Sequence, residues 1–153
     1  MPVSGGYEMK TVIVYYSKHH GNTKKLVDAI AARHSVTLID VTENPTANLG
    51  EFDRIGFASG IYYNSFARPL LAYAAANLPE EKDVFLLSTQ GNPKGRFFKA
   101  IERIVIEKRC RSLGRYGCQG FDTFGPLRLV GGISKGHPTA EEINGAVRFY
   151  EGL

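Results

Sequence analysis

The sequence predicts a three-layer α/β protein built on a doubly wound, five-stranded parallel sheet, and three observations carry that prediction. Five short strand-like runs alternate with segments of helical period, at residues 11–16, 36–41, 54–59, 83–89 and 115–121. Strict alternation of this kind builds parallel βαβ units. Two of the runs, Val12-Ile13-Val14-Tyr15-Tyr16 and Val84-Phe85-Leu86-Leu87, are continuously apolar, as strands covered by helices on both faces must be. The length of 153 residues suits one domain, which at that size buries roughly two-thirds of its unfolded surface.

The elements follow in order. The first strand leads into a helix that begins near Asn22, with Leu26, Ile30 and neighbouring alanines as its apolar stripe. The runs Val36–Val41 and Arg115–Phe121 are mixed in polarity, which marks them as the two edges of the sheet. A second helix spans 66–77, alanine-rich around Leu70 and Leu71, with Arg68-Pro69 in its first turn. Phe97, Phe98, Ile101, Ile104 and Val105 give a third helix a broad apolar face. Thr139-Ala140-Glu141-Glu142 has the form of a capping box and opens a last helix that turns Ile143, Val147 and Tyr150 inward. Residues 1–9 read as an N-terminal extension and 10–153 as the domain.

Composition narrows the functional classes. With 43% apolar and 22% charged residues, and no apolar run near the ~20 residues of a membrane span, a soluble protein with no membrane partner is expected. The opening stretch lacks the basic and apolar regions of a signal peptide. Cys110 and Cys118 match neither a redox CxxC motif nor a zinc set, so reduced thiols and a cytoplasmic setting are expected, with no metal. The net charge of +4 reads as spread along the chain without an aromatic-interleaved basic block, which argues against nucleic acid as a partner.

In an open parallel sheet, ligands bind beyond the carboxyl ends of the strands, at the switch point of the connections. The loop after the first strand, Ser17-Lys18-His19-His20-Gly21-Asn22-Thr23, joins hydroxyl, amide and glycine residues directly to a helix N-terminus. Such a junction aims several backbone N–H groups at one anion. Lys24 and Lys25 stand in the first helical turn, where the helix dipole disfavours cations and a bound phosphate would offset the conflict. The plainer reading is that Asn22 or Thr23 simply caps the helix. No GxGxxG or GxxxxGK[ST] pattern is present. The loop after the third strand, Ser59-Gly60-Ile61-Tyr62-Tyr63-Asn64, places adjacent tyrosines where flat surfaces can stack on an aromatic ligand. After the fourth strand, Thr89-Gln90-Gly91-Asn92 offers amides to the edge of a planar heterocycle. Together these loops describe a site for a phosphorylated, planar ligand, and no catalytic side-chain constellation accompanies them.

These motifs resemble those of the flavodoxin family across residues 10–153, most specifically in the Gly21-Asn22-Thr23 triplet and the preceding Ser17. The resemblance implies a flavodoxin-like sheet of order 2-1-3-4-5 in its short-chain form, with FMN as cofactor. It implies that Ser17–Thr23 hold the phosphate, that Ser59–Asn64 cover one ring face, and that Thr89–Asn92 follow the ring's edge. It also implies electron transfer between a reductase and a redox acceptor. The chain departs from the family in His19 and His20, in having no Trp, and in its basic charge. Phe121 or Phe124 is a candidate for the second ring face, though a core role suits both. Cations such as Lys18, Arg68 or Lys94 near the ring would raise its reduction potential. An NAD(P)H-dependent flavin or quinone reductase on the same fold is the alternative, and a non-redox anion-binding module a third.

Overall fold

The computed structural model describes residues 8–18, 21–91, 97–121, 132 and 135–153. In chain order the elements are β1 (Thr11–Tyr16), α1 (Asn22–Arg33), β2 (Thr37–Asp40), β3 (Arg54–Tyr62), β4 (Ser65–Phe66), α2 (Arg68–Asn77), β5 (Asp83–Gln90), α3 (Lys99–Glu107), β6 (Arg111–Gln119) and α4 (Ala140–Glu151). The sheet runs β2-β1-β3-β5-β6, all parallel, with β4 pairing antiparallel to β3. Counting only the five parallel strands, this is the expected order 2-1-3-4-5.

Side-chain alternation along β1 divides the core between the two faces. Val12 and Val14 pack with Phe57, Leu70, Ile101 and Val105 on the side of α2 and α3. Ile13 and Tyr15 pack with Leu26, Ile30, Val147 and Tyr150 on the side of α1 and α4. A period of two in a strand buried on both faces requires this division. The expected edges hold too: β2 and β6 carry the exposed and half-buried positions, whereas Val84 to Thr89 of β5 are buried throughout.

Three elements differ from the sequence reading. The last strand begins at Arg111 rather than at residue 115 and ends at Gln119, short of 121. Its first residues pair with β5, Asp83 opposite Arg111, and the two side chains form an ion pair of 2.8 Å. An exposed start such as Arg-Ser-Leu-Gly has no apolar alternation by which to be recognised. In addition, β3 runs on to Tyr62 and folds back through Tyr63-Asn64 into β4, so part of the expected loop is a tight hairpin. Phe97 and Phe98 precede α3 instead of lying in it. The capping box is present: Thr139 Oγ1 accepts from the Glu142 N–H at 3.1 Å, and Glu142 Oε1 accepts from the Thr139 N–H at 2.8 Å.

Candidate functional site

The strand register lines up Tyr16, Ser59–Gly60, Thr89–Gln90 and Gln119 at the carboxyl edge of the sheet. Connections from β1 and β3 leave to opposite faces there, and a cleft opens between them. Ser17, Asn22, Thr23, Gly60, Ile61, Tyr62, Thr89 and Gly91 line it, together with Gly120 and Phe121.

Local geometry at the start of α1 decides between a cradle and a simple cap. Gly21 takes the cap position in left-handed backbone (φ 65°, ψ 21°), a conformation glycine adopts without a Cβ penalty, and no side chain caps the helix from there. Among the described residues, a Cβ on Gly21 would meet nothing within 4 Å. The Lys24 N–H donates to Ser17 Oγ at 3.0 Å, and the first intrahelical bond runs from Lys25 N–H to Gly21 O at 3.1 Å. That leaves the amides of Asn22 and Thr23 without an intrahelical acceptor, as at any helix start. The first turn contains no acidic residue. Asn22 and Thr23 are themselves buried and serve neither as cap.

Instead they tie α1 to distant strands. Thr23 Oγ1 lies 2.8 Å from Thr89 Oγ1 at the end of β5. Asn22 Nδ2 donates to the Phe121 carbonyl at 2.8 Å, and a Cβ on Gly120 would sit 2.7 Å from that same nitrogen. Position 120 therefore has to be glycine for Asn22 to lie where it does. Asn22 Oδ1 is buried and has no hydrogen-bond partner among the described residues, a costly condition for a carbonyl oxygen unless a ligand donates to it. Phe121 continues the chain of contacts, its N–H donating to the His137 carbonyl at 3.0 Å. His137 Nδ1 in turn meets Glu142 Oε1.

The tyrosines separate into two roles. Tyr62 is half-buried, forms part of the cleft wall and meets Tyr16 edge-on at 5.7 Å. Tyr63 is 86% exposed. Both Tyr63 (φ 51°) and Asn64 (φ 61°) have positive φ, the signature of a two-residue type I′ hairpin turn that normally selects Asn-Gly. Ser59 faces away from the cleft: fully buried, it accepts from the Ala67 N–H at the start of α2 (3.0 Å). Gln90 is occupied beside the cleft, its Oε1 accepting from Ser88 Oγ at 2.9 Å, while Lys18 and Asn64 are exposed. His19, His20, Asn92, Lys94 and Phe124 lie outside the described residues. Sequence reasoning left Gly120 out of the site and gave Phe121 only as a candidate for the ring. A glycine at the end of an edge strand was the available signal.

Burial, then the neighbouring Glu142, pushes the Cys118 thiol up to about 12, which keeps it protonated and unreactive. Burial alone would raise Glu142, but bonds from the Thr139 N–H, His137 and the Gln119 N–H outweigh it and hold the carboxyl below its ordinary range.

Fold and cleft define a doubly wound α/β protein whose ligand site joins a helix N-terminus to an aromatic hairpin at the switch point of the sheet. The model of the flavodoxin domain family matches residues 13–96, and the chain belongs to the flavodoxin family. An uncharacterized protein of Methanocaldococcus jannaschii is 31% identical over 147 residues, covering 95% of this chain and 98% of that one. Among solved structures, a flavodoxin from the domain Archaea superposes with a TM-score of 0.63 at 18% identity, covering 91% of this chain and 92% of its own. A Fusobacterium nucleatum flavodoxin bound to flavin mononucleotide superposes with a TM-score of 0.64 at 13% identity, covering 94% and 98%.

Proposed function

We propose that the cleft binds FMN and that the protein transfers electrons between a reductase and a redox acceptor in the cytoplasm. The observation that carries the reading is the start of α1. Two helix-terminal amides converge there with a Gly21 that no described side chain crowds and a buried Asn22 Oδ1 that has no partner among the described residues, and these suit a phosphate on a chain that bears hydroxyl groups. Among the described residues, no helix is long and apolar enough to cross a membrane.

In this reading the Asn22 and Thr23 amides hold phosphate oxygens. Ser17 Oγ, which already accepts from Lys24 N–H, turns its own hydrogen toward the same anion. Asn22 Oδ1 accepts from a ribityl hydroxyl. Tyr62 forms one wall for the ring, Tyr63 extends the aromatic surface to solvent, and Gly60, Thr89 and Gly91 border its edge. When bound, FMN supplies the redox chemistry, exchanging electrons one or two at a time. The chain supplies position and local charge: Lys24 Nζ is paired with Asp28 at 2.7 Å, and Lys25 in the first turn favours the anionic phosphate.

Visible absorption of the purified protein, with FMN titration of any colourless fraction, tests the reading. Stoichiometric uptake of FMN with riboflavin bound far more weakly is the expected result, because the cradle acts on the phosphate. No uptake overturns it. Mixing the loaded protein with NADPH and a quinone then tests the carrier role: no turnover is expected without an added reductase, and rapid turnover identifies a reductase instead.

A further inference from the structure

Counted by segment, the positive charge of this chain is not spread evenly. Residues 97–115 hold six basic residues, Lys99, Arg103, Lys108, Arg109, Arg111 and Arg115, against Glu102 and Glu107. Their surplus of +4 equals the net charge of the whole protein, and the rest of the chain is balanced at 13 basic and 13 acidic residues. Arg109 and Arg111 are spent at the end of β6 remote from the cleft, on Glu80 (3.0 Å) and Asp83 (2.8 Å). Lys99 and Arg103 are exposed and have no carboxylate partner among the described residues.

These two cations line a groove between α3 and β6 that is floored by Phe97 and Phe98. Arg115 forms its other wall, its guanidinium 4.8 Å over the Phe98 ring and 3.1 Å from Glu102. Ile106, in the same groove, is 73% exposed. An isolated protein gains nothing from a bare isoleucine between charged neighbours.

We propose that this groove is a docking surface for an acidic protein segment that also presents aliphatic side chains. Lys99 and Arg103, one helical turn apart, meet its carboxylates, while Phe97, Phe98 and Ile106 take its apolar groups. The apolar floor and the interleaved Glu102 and Glu107 disfavour a nucleic-acid backbone, which needs continuous positive charge. Phe98, at the start of the groove, lies 5.6 Å from Phe66 of β4, so that end of the groove reaches the hairpin that carries Tyr62. That the occupant is a redox partner rests on the function proposed above, whereas the docking itself does not.

The test titrates the isotope-labelled protein, as purified, with a short synthetic peptide alternating glutamate and leucine. Chemical-shift changes are expected at Lys99–Ile106 and Arg115. The double variant Lys99→Glu/Arg103→Glu should weaken binding about tenfold or more, and Ile106→Ser about threefold. Lys10→Glu/Arg148→Glu changes the net charge equally on other faces and should leave affinity within about twofold. Equal losses in the two double variants, shifts elsewhere, no binding, or tighter binding of oligothymidylate through the same residues would each overturn the proposal. FMN uptake is measured separately on every variant. Loss of the peptide with FMN binding intact supports the groove, and failure of the unaltered protein to bind FMN sinks the flavin reading without touching the peptide result.

Discussion

At the scale of single residues, the site depends on two side chains whose partners are remote in sequence. Asn22 reaches Phe121 only because Gly120 has no Cβ. Gly120→Ala should displace the amide and weaken FMN binding by about tenfold, a change on the order of one good hydrogen bond, while the thermal midpoint moves little. Unchanged affinity would show that the Asn22 position is not what the ligand reads. Tyr63 carries the opposite signal, since a bulky residue in left-handed backbone costs about 1–2 kcal/mol. Tyr63→Gly should therefore raise the thermal midpoint of the unliganded protein while lowering FMN affinity, read from the midpoint shift on adding FMN. The cradle residues Ser17, Gly21, Asn22 and Thr23 were legible in the sequence because they are contiguous and chemically distinctive. The partners Gly120 and Phe121 were not, since nothing local in an edge strand announces what packs on it from α1.

At the scale of elements, the capping box of α4 does two jobs. Glu142 completes the box and also accepts from the Gln119 N–H at 3.3 Å and pairs with His137, joining the end of β6 to the start of the helix. Its folded carboxyl lies below the ordinary range. The stability it contributes is thus fully present above the unfolded glutamate value of about 4.3 and is lost as pH falls through the lower folded value. Denaturant titrations of the wild type and Glu142→Gln should differ at neutral pH and converge only as pH falls below the lowered folded value. A constant gap would assign the loss to shape rather than charge. The box was legible as Thr-x-x-Glu, whereas the first residues of β6 were hidden because their pairing is specified by Asp83 on another strand and not by their own pattern. The β3–β4 hairpin was hidden likewise, because Tyr-Asn is an unusual choice for its turn.

At the scale of the molecule, the parallel, doubly wound architecture followed from the alternation of strand and helix, whereas the strand order 2-1-3-4-5 followed from the resemblance of the phosphate-loop motif to the flavodoxin family. The charge surplus of residues 97–115 could be counted in the sequence, but its arrangement around an apolar groove emerges only once α3 and β6 are side by side. One bridge described above has a consequence for cooperativity. Phe121 bonds Asn22 on one side and His137 on the other, which adds a latch in the cleft wall to the direct packing of the first and last helices and their His34–Glu151 ion pair of 2.8 Å. A ligand that binds only the closed arrangement lowers the population in which the latch is open, by RT ln(1 + [L]/Kd). Amide hydrogen exchange should consequently slow in α4 when FMN is added, although its residues 140–151 lie outside the cleft lining. Protection confined to α1 and β5 would mean that the C-terminal helix opens independently. Protection that spreads to α4 would make the carboxyl-terminal end of the chain a remote reporter of occupancy.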